Sequence, residues 1–191
     1  MALGRQKERQ ADLMIGWAEL PRSPGHAFYD RLQAILIEAG FDGDAEEAAR
    51  LWCGLLPDSR ITGIGRAPTD NPSTPEGAVL TVEFELMGRP FMGLNGGPQF
   101  RFSEAVSLMV PCETQAEVDR LWAALLADGG RESRCGWLKD RFGMAWQIVP
   151  ARMLEILRAG EPEGRRRAFA AMMTMTKLDV AAIERAYAGD A

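Results

Sequence analysis

Hydrophobic and polar positions alternate most regularly between residues 79 and 94. Val82, Phe84 and Leu86 interleave with Glu83 and Glu85, Met87-Gly88-Arg89 supplies a turn, and Phe91 to Leu94 returns. A period of two, interrupted by a glycine turn, predicts a β-hairpin. Elsewhere the period lengthens to that of a helix. Ala45, Ala48, Ala49, Trp52, Leu55 and Leu56 form one stripe over 44–56, broken by Pro57-Asp58-Ser59. Upstream, Ser23-Pro24 opens and Gly40 closes a second helical stripe of Phe28, Leu32, Ile35, Leu36 and Ala39. The short apolar run Leu13 to Trp17 reads as a strand, as does SRITGIGRA (59–67). APTDNPSTPEG (67–77) concentrates turn-forming residues and reads as a surface loop. After it come a strand in AVSLMVPCE (105–113) and a helix over 114–130 with Thr114 and Glu117 as a capping box. CGWLKDRFGMAWQIVP (135–150) is a closing hairpin, and the tail from 151 to 191 is helical apart from AGEPEG.

One pattern recurs. RLWCGLLPD (50–58) and RLWAALLAD (120–128) share R-L-W-x-x-L-L-x-D at a spacing of 70 residues. GRPFMGLN (88–95) can likewise be laid on DRFGMAWQ (140–147), which pairs Arg89 with Arg141, Met92 with Met144 and Asn95 with Gln147. Each half then runs helix, strand, hairpin, and the second half adds a strand before its helix. An internal duplication of this kind implies two copies of one α-and-β unit.

Composition changes this picture little. A chain of 191 residues with 47% hydrophobic and 26% charged residues has the balance of a globular protein. The net charge of -5 leaves no footprint for nucleic acid. No apolar run reaches the roughly 18–20 residues of a membrane span, and the charged start MALGRQKERQ lacks a signal peptide's apolar core. Cys53, Cys112 and Cys135 are an odd, scattered set, which suits free thiols in a reducing cytoplasm.

Three stretches also carry a family resemblance. DGDAEEAARLWCGLLPDSRI (42–61), the long block from GAVLTVEF to DRLWAALL (77–126) and CGWLKDRFGMAWQIVP resemble the PhnB-like proteins of the vicinal-oxygen-chelate superfamily, and MTMTKLDVAAIERAYAG (173–189) fits the same group. That superfamily also holds glyoxalase I, bleomycin-resistance proteins and extradiol dioxygenases. The resemblance implies an α+β fold in which paired βαβββ modules form a curved mixed sheet around a cavity, in a homodimer. It also brings a customary label, 3-demethylubiquinone 3-methyltransferase. The front differs: ELPRSPGHAFYDRLQAILIEAGFD (19–42) resembles the N-terminal region of certain insertion-sequence transposases. The expected organisation is therefore an appended helical segment (1–41), a PhnB-type domain (42–150, with modules 42–98 and 99–150) and a helical tail (151–191). The first strand of the first module has no clear counterpart, so a sheet edge is expected to stand open unless Leu13 to Trp17 or a second chain fills it.

Metal-dependent relatives place His and Glu ligands on the first and last strands of each module. This chain has one histidine, His26, in the appended front, and its last-strand positions hold Asn95 and Gln147. Neutral amides bind Zn²⁺, Ni²⁺ or Fe²⁺ poorly beside imidazole or carboxylate, so neither a metal nor a cofactor is expected. Gln147 and Asn95 then read either as buried amides satisfied by the backbone or as hydrogen-bonding partners of one small polar ligand. Glu83 and Glu85 read as solvated, or as a general base if their face is the inner one. Trp137 reads as core or as a stacking platform. LNGGP (94–98) lacks the strand–glycine loop–helix setting of a nucleotide site and reads as a turn. Cys135 has no neighbouring base and reads as a packing thiol. Asp140 reads as the residue that sets its hairpin turn. The function expected is metal-independent binding of a small-molecule ligand in the concave sheet, with no nucleic acid or membrane partner. Two alternatives remain: an enzyme of the same superfamily, or a truncated fusion of low activity.

Overall fold

The computed structural model describes residues 43–190. The helix expected over 28–39, the Leu13–Trp17 strand and His26 lie outside these residues.

Helix α1 (Ala45–Leu55) is rich in strong helix formers and carries Glu46 and Glu47 in its first turn, where they face the positive end of the helix dipole. It stops where Leu56 turns extended, as a residue before proline must. Its buried face is Ala45, Ala48, Ala49 and Trp52; the small alanines let it lie close to a sheet. That sheet is β1 (Arg60–Arg66), β2 (Val79–Leu86) and β3 (Arg89–Leu94), antiparallel in the order β1-β2-β3. Val82, Phe84 and Leu86 are buried, as the alternation required. The β2–β3 turn is tight: Met87 (φ 50°) and Gly88 (φ 72°) are both left-handed, the conformation a two-residue hairpin with right-twisted strands demands. At Gly65 a Cβ would run into the Thr81 hydroxyl, so glycine on β1 makes room for the β2 side chain opposite it.

The second unit begins with β4 (Leu108–Cys112) and α2 (Gln115–Leu126), followed by a single 3-10 turn (Ala127–Gly129). Then come β5 (Arg131–Glu132), β6 (Trp137–Lys139) and β7 (Ala145–Pro150), in the sheet order β4-β7-β6-β5. β4 pairs parallel to β7, and the other pairs are antiparallel. Thr114 caps α2 by accepting from the Glu117 N–H at 3.2 Å, while Glu117 accepts from the Glu113 N–H at 2.9 Å. α1 and α2 start 70 residues apart, the spacing of the sequence repeat. Val118, Leu121, Trp122 and Leu125 of α2 join Trp52, Phe84, Trp146 and Ile148 in one core that spans both units.

The tail forms α3 (Ala151–Ala159), α4 (Pro162–Thr174) and α5 (Val180–Ala188), packed around a smaller core of Met153, Ile156, Ala168, Leu178 and Ile183. The break in AGEPEG is narrower than expected, because Pro162 sits in the first turn of α4 and Glu161 caps it. No helix among the described residues is long and apolar enough to cross a membrane. The described residues thus give a mixed α and β fold with two separate sheets and five helices, not one continuous sheet. Among them β3 has no partner on its outer edge, whereas the matching edge of β7 is covered by β4.

Candidate functional site

The site begins at the turn between β6 and β7. The Asp140 N–H donates to the Met144 carbonyl and the Gly143 N–H to the Asp140 carbonyl, each at 3.0 Å. Asp140 Oδ1 then accepts from the backbone N–H groups of Phe142 and Met144, both at 3.0 Å. This is the turn-setting role expected of an aspartate there. The second oxygen does something else. Oδ2 accepts from Trp52 Nε1 of α1 at 2.8 Å and from Trp146 Nε1 of β7 at 2.9 Å. Asp140 is 3% exposed, and the two indoles meet edge to face with centroids 5.7 Å apart. Burial pushes the Asp140 carboxyl pKa up from its ordinary value, while the four donors pull it the other way.

On the open side of this turn lies a cavity of about 460 Å3. The chain after β3 contributes Phe100, Arg101 and Phe102; β5 contributes Arg131; Lys139 to Gly143 form the floor; and Asp44 stands at the start of α1. Four cations and two carboxylates therefore line it. Arg141 is committed to Glu47 at 2.7 Å and Asp128 at 3.0 Å, with its guanidinium carbon 4.8 Å from the centre of the Phe142 ring. Lys139 holds Glu104 at 2.7 Å, and this hydrogen bond is the main reason the Glu104 carboxyl lies below its ordinary pKa.

The residues singled out from sequence are placed differently. Gln147 is half-buried; its Nε2 donates to Ser107 Oγ at 2.8 Å. Its register partners are Trp137 on β6 and Met109 on β4, so Trp137, Gln147 and Met109 form a row on the face turned away from α2. The next row on that face is Ala145, Lys139 and Arg131, which leads into the cavity. Asn95 is buried at 4% exposure on the other sheet's side. Its Oδ1 accepts from the Ala45 N–H at 3.0 Å and its Nδ2 donates to the Val79 carbonyl at 2.9 Å. Both ends of that amide are thus spent on the backbone, one of them at the start of α1. Glu83 is exposed, and Glu85 pairs with Arg60 at 2.8 Å. The structure brings Gln147 and Trp137 together and leaves Asn95, Glu83 and Glu85 apart from them. None of the five is among the residues lining the cavity.

Sequence reasoning passed over Arg101, Arg131 and Arg141. One signal pointed to two of them: the Arg-Phe dipeptide occurs at 101–102 and again at 141–142, and both copies line the cavity, whereas Arg131 carried no such signal. Two of the three thiols are poor nucleophiles. Burial pushes Cys112 up to about 12 and raises Cys53 as well, and Cys135 Sγ contacts Met173 Sδ at 3.7 Å. No group of three or more His, Cys, Asp or Glu side chains is arranged to hold a metal ion among the described residues. The cavity's own donor set is guanidinium, ammonium, the single Asp44 carboxylate and the Asp140 carboxylate, whose oxygens each already accept two N–H groups. Such a set does not fit a divalent cation.

Two sheets, each with a helix against it, share one aromatic core, which defines the described residues as a mixed α and β protein. Residues 33–149, more than half of the chain, match the model of the family described as 3-demethylubiquinone-9 3-methyltransferase, and the chain belongs to that family. Among solved structures it is similar to one described as "Putative 3-demethylubiquinone-9 3-methyltransferase, PhnB protein" from Bacillus cereus, at 34% identity, 59% of this chain, 95% of that one and a TM-score of 0.53. A Pseudomonas aeruginosa protein aligns at 20% identity over 58% of this chain and 91% of its own, with a TM-score of 0.47. A Staphylococcus aureus protein aligns at 26% identity over 58% and 89%, with a TM-score of 0.24. No curated protein matches the chain.

Proposed function

We propose that this protein binds a small organic molecule in the cavity above the β6–β7 turn, without a metal, in the manner of a PhnB-like member of the vicinal-oxygen-chelate superfamily. The observation that carries the reading is the cavity itself. Its volume of about 460 Å3 falls within the roughly 300–1,000 Å3 of ligand sites. Its walls join the rings of Phe100, Phe102 and Phe142 to charged groups, the mixture by which such sites fix orientation. Its floor is rigid, because Asp140 ties the turn to a tryptophan on each of two elements. The row of Trp137 and Gln147 extends the site along the sheet face. A homodimer with its two cavities in a reducing cytoplasm completes the proposal, and the three unpaired cysteines suit that compartment.

Ligand binding is read from the indole N–H signals of Trp52 and Trp146 in NMR titrations with small planar aromatics. These signals are expected to shift saturably, and neither EDTA nor zinc is expected to change the melting temperature. Melting by EDTA, or indoles indifferent to every probe, would overturn the reading.

Methyl transfer is the second reading, favoured by the description of the family. It implies S-adenosylmethionine, whose sulfonium is itself a cation. Four cationic side chains line the cavity against two carboxylates, and Asp140 is already enclosed by four donors, so Asp44 alone is left to face a sulfonium and the lining favours an anion over that donor. Saturable stabilisation by S-adenosylmethionine in a thermal-shift assay would select this second reading over the first.

A further inference from the structure

Arg131 and Lys139 stand directly opposite each other across the β5–β6 pair. Like charges so placed repel, and a sheet tolerates them only where counter-charge is at hand. Here one carboxylate supplies it, and only to Lys139. Glu104 reaches Lys139 at 2.7 Å with 66% of its side chain exposed, whereas Lys139 is 30% exposed. Neither Arg131 nor Arg101 has an ion-pair partner among the described residues, and both line the same cavity as Lys139. Arg141 is already held by two carboxylates and is no part of this unbalanced set. At the mouth, Phe100 leaves 57% of its surface in solvent, an uncovered ring beside uncovered cations.

We propose that the cavity takes a ligand joining an aromatic ring to one carboxylate or phosphate, and that Glu104 is a resident placeholder which the ligand's anion displaces from Lys139. The proposal rests on the binding reading above and names its ligand class. The exchange is cheap, because an exposed ion pair contributes little and Glu104 sits on a segment, 99–107, without helix or strand. What replaces it gains more. An anion between Lys139 and Arg131 is held from both sides, and a guanidinium meets carboxylate or phosphate oxygens two at a time. Phe100 offers its face to the ring behind the anion. Asp44, which also lines the cavity, limits the negative charge the site accepts and so favours one anionic group over two.

The test titrates the full chain with benzoate, phenyl phosphate and the neutral benzyl alcohol. The indole and arginine side-chain signals report binding, and melting temperatures confirm that each variant is folded. The wild type is expected to bind the two anions about tenfold more tightly than the alcohol, an advantage that shrinks as salt is added. Glu104→Gln removes the competitor and should tighten both anions by roughly three- to tenfold while leaving benzyl alcohol unchanged. Lys139→Gln and Arg131→Gln should each weaken the anions by about tenfold. Benzoate and phenyl phosphate differ enough in charge and size for their ratio to tell which acid the site prefers. Anion affinity unchanged or weakened by Glu104→Gln overturns the placeholder. Benzyl alcohol binding as tightly as the anions overturns the ligand class while the cavity reading stands. Failure of all three probes to move the indoles overturns the cavity reading itself.

Discussion

The two modules start their helices 70 residues apart and bury a tryptophan at the same point of each, yet they satisfy those indoles differently. Trp122 donates to Glu132 of its own module at 3.0 Å, near solvent. Trp52 donates across to Asp140 of the other module, in the middle of the shared core. The helix starts diverge as well. α2 is capped locally by Thr114, while α1 receives a cap from Asn95, fifty residues further along the chain. So do the hairpins: Met87-Gly88 closes the first in two residues, and the second spreads over Asp140 to Met144. The recurring stripe keeps the core face alike in the two, and the differences lie in the helix caps and the hairpin turns. The wider turn of the second hairpin carries the Asp140 bond to Trp52 and also lines the cavity.

Three measurements would break or sharpen this contrast. The largest effect belongs to Asp140→Ala, which strands two indole and two backbone N–H groups. It should lower stability by about 3–5 kcal/mol in urea titrations, while Glu132→Ala, with its partly solvated indole, should cost about 1 kcal/mol or less. Equal costs would mean that the cross-module bond is no more important than the local one. Next come the two caps. Asn95→Ala leaves the buried Ala45 N–H and the Val79 carbonyl without partners and should cost about 2–3 kcal/mol, against about 1 kcal/mol for Thr114→Ala. The smallest effect is a slope with pH. Because burial raises the Asp140 pKa, the folded protein holds that proton more tightly than the unfolded chain does. Its contribution to stability is greatest below the ordinary aspartate pKa, declines as pH rises to the raised value, and is flat beyond. The stability difference between wild type and Asp140→Ala should therefore narrow over that window; a difference that widens would reverse the assigned direction.

Much of the fold was legible because short-range periodicity carries it. The alternation at 79–86, the stripes of both tryptophan-bearing helices and the Thr114 cap each depend on residues within a few positions of one another. Asn95 was not legible in the same way. A polar side chain between apolar neighbours reads alike whether it faces a ligand or a distant helix end, and only the fold brings Ala45 to it. Its alignment with Gln147 suggested a shared site, but Asn95 lies just past the end of β3 and Gln147 on β7 of the other sheet. The Arg131–Lys139 opposition depends on the register of a two-residue strand, too short to show any period. Asp140 was readable as a turn residue through its local bonds, and unreadable as a tryptophan acceptor because one of its partners lies 88 residues away.

The tail's separate core has a consequence of its own. Met153, Ile156, Leu178 and Ile183 pack with one another, and hooks join the tail to the second module: the N–H groups of Cys135 and Gly136 donate to the carbonyls of Met175 and Thr176, each at 2.8 Å. Gln115 grips the same segment through the Leu178 carbonyl and the Val180 N–H. A cluster that owes little to the tryptophan core can detach as its own cooperative unit, at a lower free energy than global unfolding. Since Val149 of β7 belongs to the same cluster, the expected consequence is a lower melting step that uncovers the back of β7 before the tryptophan core gives way.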